Sequence, residues 1–138
     1  MTRSRKDDAQ RLLDLMANED SARLTELIAE DVAWWGPPSA EAQGLPRPLL
    51  GRSHVVPLIA DPTMFFQPGT RRWTVHHLVE EGDFIAVHAN LQGLTAGGAP
   101  YSNEYHFLVR FEGPVIAEVW EHLDTAAFAE QMAGDVRA

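Results

Sequence analysis

Leu12, Leu13, Leu15 and Met16 recur at helical spacing behind a charged start, and Leu24, Leu27 and Ile28 repeat that spacing after Asp20-Ser21, a pair suited to cap a helix. Two short helices are expected to open the chain. Residues 31–36 (DVAWWG) read as a short strand. The stretch GPPSAEAQGLPRPLLG that follows is too polar for core and long for a passive connection, which makes residues 36–50 a candidate lid. Ser53 can cap a third helix over residues 54–60; Pro57 is tolerable there because first-turn amides have no intrahelical acceptor, and Asp61-Pro62 interrupts it. From Arg71 onward the period changes to two: RRWTVHHLVE, a turn at Glu81-Gly82-Asp83, FIAVHANLQG, a Gly-rich loop, NEYHFLVRF, a turn at Glu112-Gly113-Pro114, then VIAEVWEHLD. Asp124 or Thr125 can cap a closing helix, AAFAEQM. Helices gathered at the start and a long meander at the end predict an α+β fold, a curved antiparallel sheet wrapped around three N-terminal helices with a short C-terminal helix.

Composition narrows the function classes. A length of 138 residues, 45 % of them apolar, suits one domain over residues 1–138 with one sizeable core, and there is no repeat or linker. Twenty acidic against 11 basic side chains give a formal charge of −9, which repels phosphate backbones and anionic lipid, so neither nucleic acid nor membrane is an expected partner. No cysteine is present, which removes disulfides, thiol nucleophiles and thiolate metal sites and leans towards the cytoplasm. The charged N-terminal TRSRKDD precedes no apolar run, and no stretch approaches the roughly 18 apolar residues of a membrane span.

The chemistry then rests on oxygen and nitrogen groups, and strand parity isolates one of them. In the last strand Val115, Ala117, Val119, Glu121 and Leu123 share a face, so Glu121 is the one ionisable group in an apolar row. Ile116, Glu118, Trp120, His122 and Asp124 fall on the other face, which suits a wetted surface or a homodimer contact together with His106 and Leu108. A three-residue turn at Glu112-Gly113-Pro114 would pair Phe111 with Val115, Phe107 with Val119 and Tyr105 with Glu121. A bulge in any of these strands would shift that register. A carboxyl among Val, Leu and Phe loses hydration and its pKa rises, while a Tyr hydroxyl and Asn amides can position a carbonyl or enol oxygen. Glu121 is equally readable as a buried structural acid hydrogen-bonded to Tyr105 or Trp34. Trp34, Trp35, Met64, Phe65 and Phe66 read as core or as the wall of a pocket for a flat, apolar ligand. His76 and His77 point to opposite faces of their strand, and no ligand spacing for a metal occurs, so no metal and no cofactor are expected. The GLTAGGAPYS loop lacks a strand-to-helix context and any Lys, and reads as a hairpin connection.

The order of elements, Gly51-Arg52 before the third helix, the YSNEYHF run and a final strand ending in EHLD resemble the SnoaL-like branch of the NTF2-like superfamily. That group includes polyketide cyclases, ketosteroid isomerase, scytalone dehydratase, limonene epoxide hydrolase and PhzB-like proteins. The resemblance covers nearly the whole chain and implies the NTF2-like cone, a homodimer, and a pocket for a small hydrophobic molecule. It implies an acid/base role for Glu121, because PhzB-like proteins carry a glutamate and limonene epoxide hydrolase an aspartate at the matching place. It also implies that Ala86, His88 and Asn90 lie on the concave side, with Asn90 near Tyr105. The expected catalytic set is therefore Glu121, Tyr105 and His88, and the expected ligand wall is Asn90, Asn103, Trp34, Trp35, Phe107, Val119 and Leu123. The ketosteroid isomerase base falls near Trp35 and its oxyanion-hole acid near Phe107, while the epoxide hydrolase Arg and Asp fall at about His88 and Asn90, so none of these chemistries carries over unchanged. Two functions stay open: a cofactor-free cyclase, isomerase or dehydratase, and a non-catalytic ligand-binding or dimerisation module.

Overall fold

The computed structural model describes residues 3–42 and 44–136, with side chains described as far as residue 134; Met1, Thr2 and Gln43, the last inside the expected lid, lie outside the described residues. Helix α1 (Arg5–Ala17) begins with a capping box: Ser4 Oγ accepts from the Asp7 amide at 3.0 Å and the Asp7 carboxylate accepts from the Ser4 amide at 3.4 Å. Its apolar stripe, Ala9, Leu12, Leu13, Leu15 and Met16, is buried. Helix α2 (Ser21–Leu27) is capped by Asp20, whose carboxylate accepts from the Arg23 amide at 3.1 Å. The buried Ile28 opens strand β1 (Ile28–Trp35) instead of closing this helix, because a buried aliphatic residue fits both periods.

The segment expected as a lid holds a short helix α3 (Pro38–Ala42) and strand β2 (Leu49–Leu50), which pairs with the end of β1. Helix α4 (Arg52–Ala60) starts two residues earlier than the Ser53 cap would require. Gly51 occupies the N-cap at φ 90°, a conformation open to glycine, and makes no side-chain cap. Pro57 thus sits beyond the first turn.

Strands β3 (Arg72–Glu81), β4 (Phe84–Leu94), β5 (Pro100–Glu112) and β6 (Val115–Leu123) form the meander, and helix α5 (Thr125–Val136) follows, capped by Asp124 through the Ala127 amide at 3.0 Å. The six-stranded sheet has the order β2-β1-β6-β5-β4-β3. It is not wholly antiparallel, since β1 runs parallel to β6. A strand near the start and the last strand become neighbours by a long crossover, which period-two patterning does not report. Together the helices and this mixed sheet make an α+β, NTF2-like cone.

Local chemistry sets the register. Glu112 pairs with Val115 across a two-residue turn in which Gly113 has φ 57°, and Phe111 pairs with Ile116 while Arg110 pairs with Glu118, leaving Ala117 as an extra residue. This bulge turns Ile116 and Ala117 both inward, so the buried Ile116 is not on the outer face. A second bulge leaves His76 unpaired between Val75 and His77 in β3. Helices α1, α2 and α4 fill the concave face, where Leu12, Leu13, Leu24 and Val55 pack in one core with Ile85, Val87, Val109 and Phe111. Arg71 ties that layer together: its guanidinium donates to the carbonyls of Met16 at 2.7 Å, Ile59 at 3.3 Å and Ala60 at 3.4 Å, satisfying the last turns of α1 and α4. Among the described residues no helix is long and apolar enough to cross a membrane.

Candidate functional site

Alternation along the meander brings one row from each strand to the concave face. Trp34 of β1, Trp73 and Val75 of β3, Ala89 and Leu91 of β4, Asn103, Tyr105 and Phe107 of β5, and Val119, Glu121 and Leu123 of β6 share it. The bulge at Ala117 and the tighter turn each move the β5/β6 pairing by one residue. Together they move it by two, which keeps Glu121 inward but changes its partner. Phe107, not Tyr105, lies opposite Glu121, and Tyr105 lies opposite Leu123.

The Glu121 carboxylate is met by an indole: Trp34 Nε1 donates to its Oε1 at 3.0 Å. Phe107 presents an edge-on contact to Trp34 with ring centroids 6.4 Å apart. The Glu121 residue keeps partial exposure, yet burial is the largest influence on its carboxyl and raises its pKa; the Trp34 hydrogen bond and the Arg71 charge act in the opposite direction. Trp34 is neutral and Arg71 acts only at a distance, so among the described residues the acid has no ion-pair partner to hold it ionised.

Beside it runs a chain of hydroxyls. Tyr105 and Tyr101 share a hydrogen bond of 2.9 Å, and Asn103 Nδ2 donates to Tyr101 Oη at 3.0 Å and to the Asp124 carbonyl at 3.0 Å. Asn103 Oδ1 accepts from the Glu104 amide at 2.8 Å, so every polar atom of this Asn is engaged. Burial pushes the Tyr105 phenol far up and raises that of Tyr101. These hydroxyls keep their protons and serve as donors, not as bases. Trp73 closes the row, edge-on to Tyr105 at 5.1 Å and to Phe107 at 5.6 Å. Its Nε1 and the Nε of Arg71 are buried and have no acceptor among the described residues.

Three expected site residues lie elsewhere. His88 and Asn90 are on the outer face, because Leu94 pairs with Pro100 across the Gly-rich loop and sets Ala89, not Asn90, opposite Tyr105. His88 instead lies beside Glu104, with Nε2 3.2 Å from Oε2, and Asn90 donates to Ser102 Oγ at 3.3 Å. Trp35 follows Trp34 by one residue and so faces outward, donating to Glu118 Oε2 at 2.8 Å with the Arg47 guanidinium 5.3 Å over its ring. The structure unites Glu121, Tyr105, Asn103, Trp34, Phe107, Val119 and Leu123. Tyr101, Trp73 and Arg71 join them without having been singled out from the sequence, although Arg71, Trp73 and Val75 already alternate in step with the inner row.

The outer face has its own order. His77, His88, His106 and His122 fall on one cross-strand row, and Val79, Ala86, Leu108 and Trp120 on the next. The rings of His88 and His106 stack at 4.6 Å, His77 Nδ1 lies 3.1 Å from His88 Nδ1, and the His76 ring is 5.1 Å from that of His88. The bulge therefore brings His76 to the same face as His77, where strict alternation had separated them. Among the described residues no group of three or more His, Asp or Glu is arranged to hold a metal ion.

Two open recesses mark the surface. One of about 530 Å³ is lined by residues that include Thr70, Arg72, Gln92, Tyr101 and Gln131, and one of about 550 Å³ lies between α2 and α4 near Arg52. Neither is lined by Glu121, but the first reaches Tyr101, the far end of the hydroxyl chain.

A family model described as a SnoaL-like domain matches residues 9–119. No curated protein matches the chain. Among solved structures, an NTF2-like protein of unknown function from Burkholderia pseudomallei superposes with a TM-score of 0.81 at 19 % identity, over 94 % of this chain and 98 % of that one. IdmH, a candidate polyketide cyclase from Streptomyces antibioticus, superposes with a TM-score of 0.76 at 21 % identity, over 99 % and 100 % of the two chains. TerC, co-crystallised with polyporic acid, gives a TM-score of 0.77 at 19 % identity over 92 % and 96 %. At these identities the likeness is one of fold.

Proposed function

Because the chain belongs to the SnoaL-like domain family, we propose that it is a cofactor-free acid/base enzyme of the cyclase, isomerase or dehydratase kind, acting on a small hydrophobic carbonyl or hydroxyl compound at the concave face. The observation that carries this reading is the inward Glu121 carboxyl, raised in pKa by burial and held by Trp34 Nε1 at 3.0 Å. In its protonated form, which burial favours, this carboxyl can give its proton to a carbonyl oxygen, and the carboxylate so formed can take one from the adjacent carbon. One proton leaves Glu121 and one returns, so the ketone becomes its enol and the acid is restored. Tyr105 supplies a hydroxyl that stays protonated and can donate to the same oxygen, while Phe107, Val119 and Leu123 supply an apolar wall.

The test measures deuterium uptake at the α-carbon of 2-tetralone in D₂O, with polyporic acid, the compound co-crystallised with TerC, as a binding probe. Glu121→Gln should lower uptake by about 10²- to 10⁴-fold and leave probe affinity nearly unchanged. Uptake no faster with the native protein than without it would overturn the reading. A second reading, a ligand-binding module without turnover, is favoured by the fact that neither open recess is lined by Glu121. Binding of the probe without exchange would support it. In both readings the outer rows of the sheet are taken to meet a second copy of the chain, since a histidine row beside an apolar row is self-complementary about a twofold axis.

A further inference from the structure

Arg71 immediately precedes β3 and Trp73 lies two residues on, on the inner side of that strand, across the sheet from Glu121. Arg71 is 9 % exposed, and its terminal nitrogens are spent on three backbone carbonyls of α1 and α4. Among the described residues no carboxylate touches it, and its Nε has no acceptor. Trp73 Nε1 is likewise buried without one, while its ring lies against Tyr105 and Phe107. Native interiors pair nearly all their buried donors, so two orphans two residues apart at the start of β3 form a pattern, not scatter. Arg71 is also close enough to Tyr105 and Glu121 for its charge to act on both. The surroundings suit an anion: a buried guanidinium, an indole N–H, a phenol that keeps its proton, and aromatic faces.

We propose that Arg71 Nε and Trp73 Nε1 are the receiving end of the pocket for an ionised enol or phenol oxygen of the ligand, opposite the acid on β6. The inference rests on the concave face being the ligand site, and it adds the substrate class: a flat aromatic or polycyclic compound carrying an acidic hydroxyl. Binding then orients the ligand with its anionic oxygen on β3 and its reacting carbon towards Glu121. Arg71 and Trp73 act here as binding and positioning residues.

The test compares two probes of one skeleton by equilibrium dialysis at pH 7.5: 2-hydroxy-1,4-naphthoquinone, which is ionised there, and 1,4-naphthoquinone, which carries no acidic hydroxyl. The native protein should bind the ionised probe at least about tenfold more tightly, as expected of a hydrogen bond to a charged group. Trp73→Phe should erase about tenfold of that preference while leaving affinity for the neutral probe within about twofold, because lost ring volume affects both probes and the lost N–H affects one. Folding is checked by thermal unfolding, which should not worsen by the cost of a broken hydrogen bond, since the native N–H has no partner to lose. Equal affinity for the two probes, no binding of either, or a preference untouched by Trp73→Phe would overturn the proposal. Its failure is separable from that of the acid/base reading. Loss of α-carbon exchange in Glu121→Gln with no probe preference would leave the catalytic reading standing alone, and a Trp73-dependent preference with no exchange would do the reverse.

Discussion

A carboxyl set among indole and phenyl rings responds to pH in the opposite sense to one in a salt bridge. The pKa of Glu121 in the folded protein lies above its ordinary value of 4.5, with burial the main cause. Between those two values the folded state holds a proton that the unfolded chain has released, so stability falls as pH rises through this window and is complete below it. Glu121→Gln cannot ionise and still presents a carbonyl oxygen to Trp34 Nε1. Urea titrations should therefore find the variant at least as stable as the native protein at pH 8, with the difference shrinking towards pH 4. Tyr105→Phe should cost about 1 to 3 kcal/mol, because it leaves the buried Tyr101 hydroxyl without its neighbour at 2.9 Å. Chemical denaturation of the variant checks that figure. The inward position of Glu121 was readable from the apolar row around it. Its hydrogen-bond partner was narrowed to Tyr105 or Trp34, and the structure selects Trp34, which reaches it from a strand 87 residues away.

Elements succeed or fail on register. The two-residue turn at Gly113-Pro114 and the extra residue at Ala117 offset the Phe111–Val115 pairing by one residue each, and only their sum keeps Glu121 on the concave face. Deleting Ala117 should remove the bulge and make Ile116 and Glu118 consecutive opposite Phe111 and Arg110, so that Val119, Glu121 and Leu123 stay inward and Glu118, Trp120 and His122 outward. The expected loss is about 1 kcal/mol, measured by urea unfolding, with the near-UV circular dichroism retained, whereas a reversed face would change that spectrum. Bulges carry no signature in a run such as VIAEVWEHLD, where Ile116 and Ala117 are both apolar and either can be inward. Strand β4 teaches a different lesson. Its own alternation, Ile85, Val87, Ala89 and Leu91 against Ala86, His88, Asn90 and Gln92, already distinguishes an apolar row from a polar one, and the structure follows it. Expecting His88 and Asn90 inside gave more weight to likeness with other sequences than to this pattern. The helices were legible because caps and stripes are local. The parallel pairing of β1 with β6 was not, because it depends on which distant edge is left open once the hairpins have formed.

At the scale of the molecule, the convex sheet leaves Val79 and Leu108 exposed beside the histidine row, with Trp120 half-buried and 6.3 Å from the Phe84 ring. Light scattering at micromolar concentration should report twice the mass of one chain, and Leu108→Glu should bring it down to that of a single chain. A native protein that scatters as one chain would remove the proposed pairing. The parallel neighbour of β6 has a kinetic consequence. Strands β3 to β6 are joined by short hairpins and can zip together with little loop entropy, whereas β1 must return across most of the chain to dock on β6. Until it does, β6 is an open edge and Glu121 has water where Trp34 will be. The carboxyl is then an ordinary hydrated acid, and it acquires its distinctive chemistry only once β1 docks and Trp34 covers it.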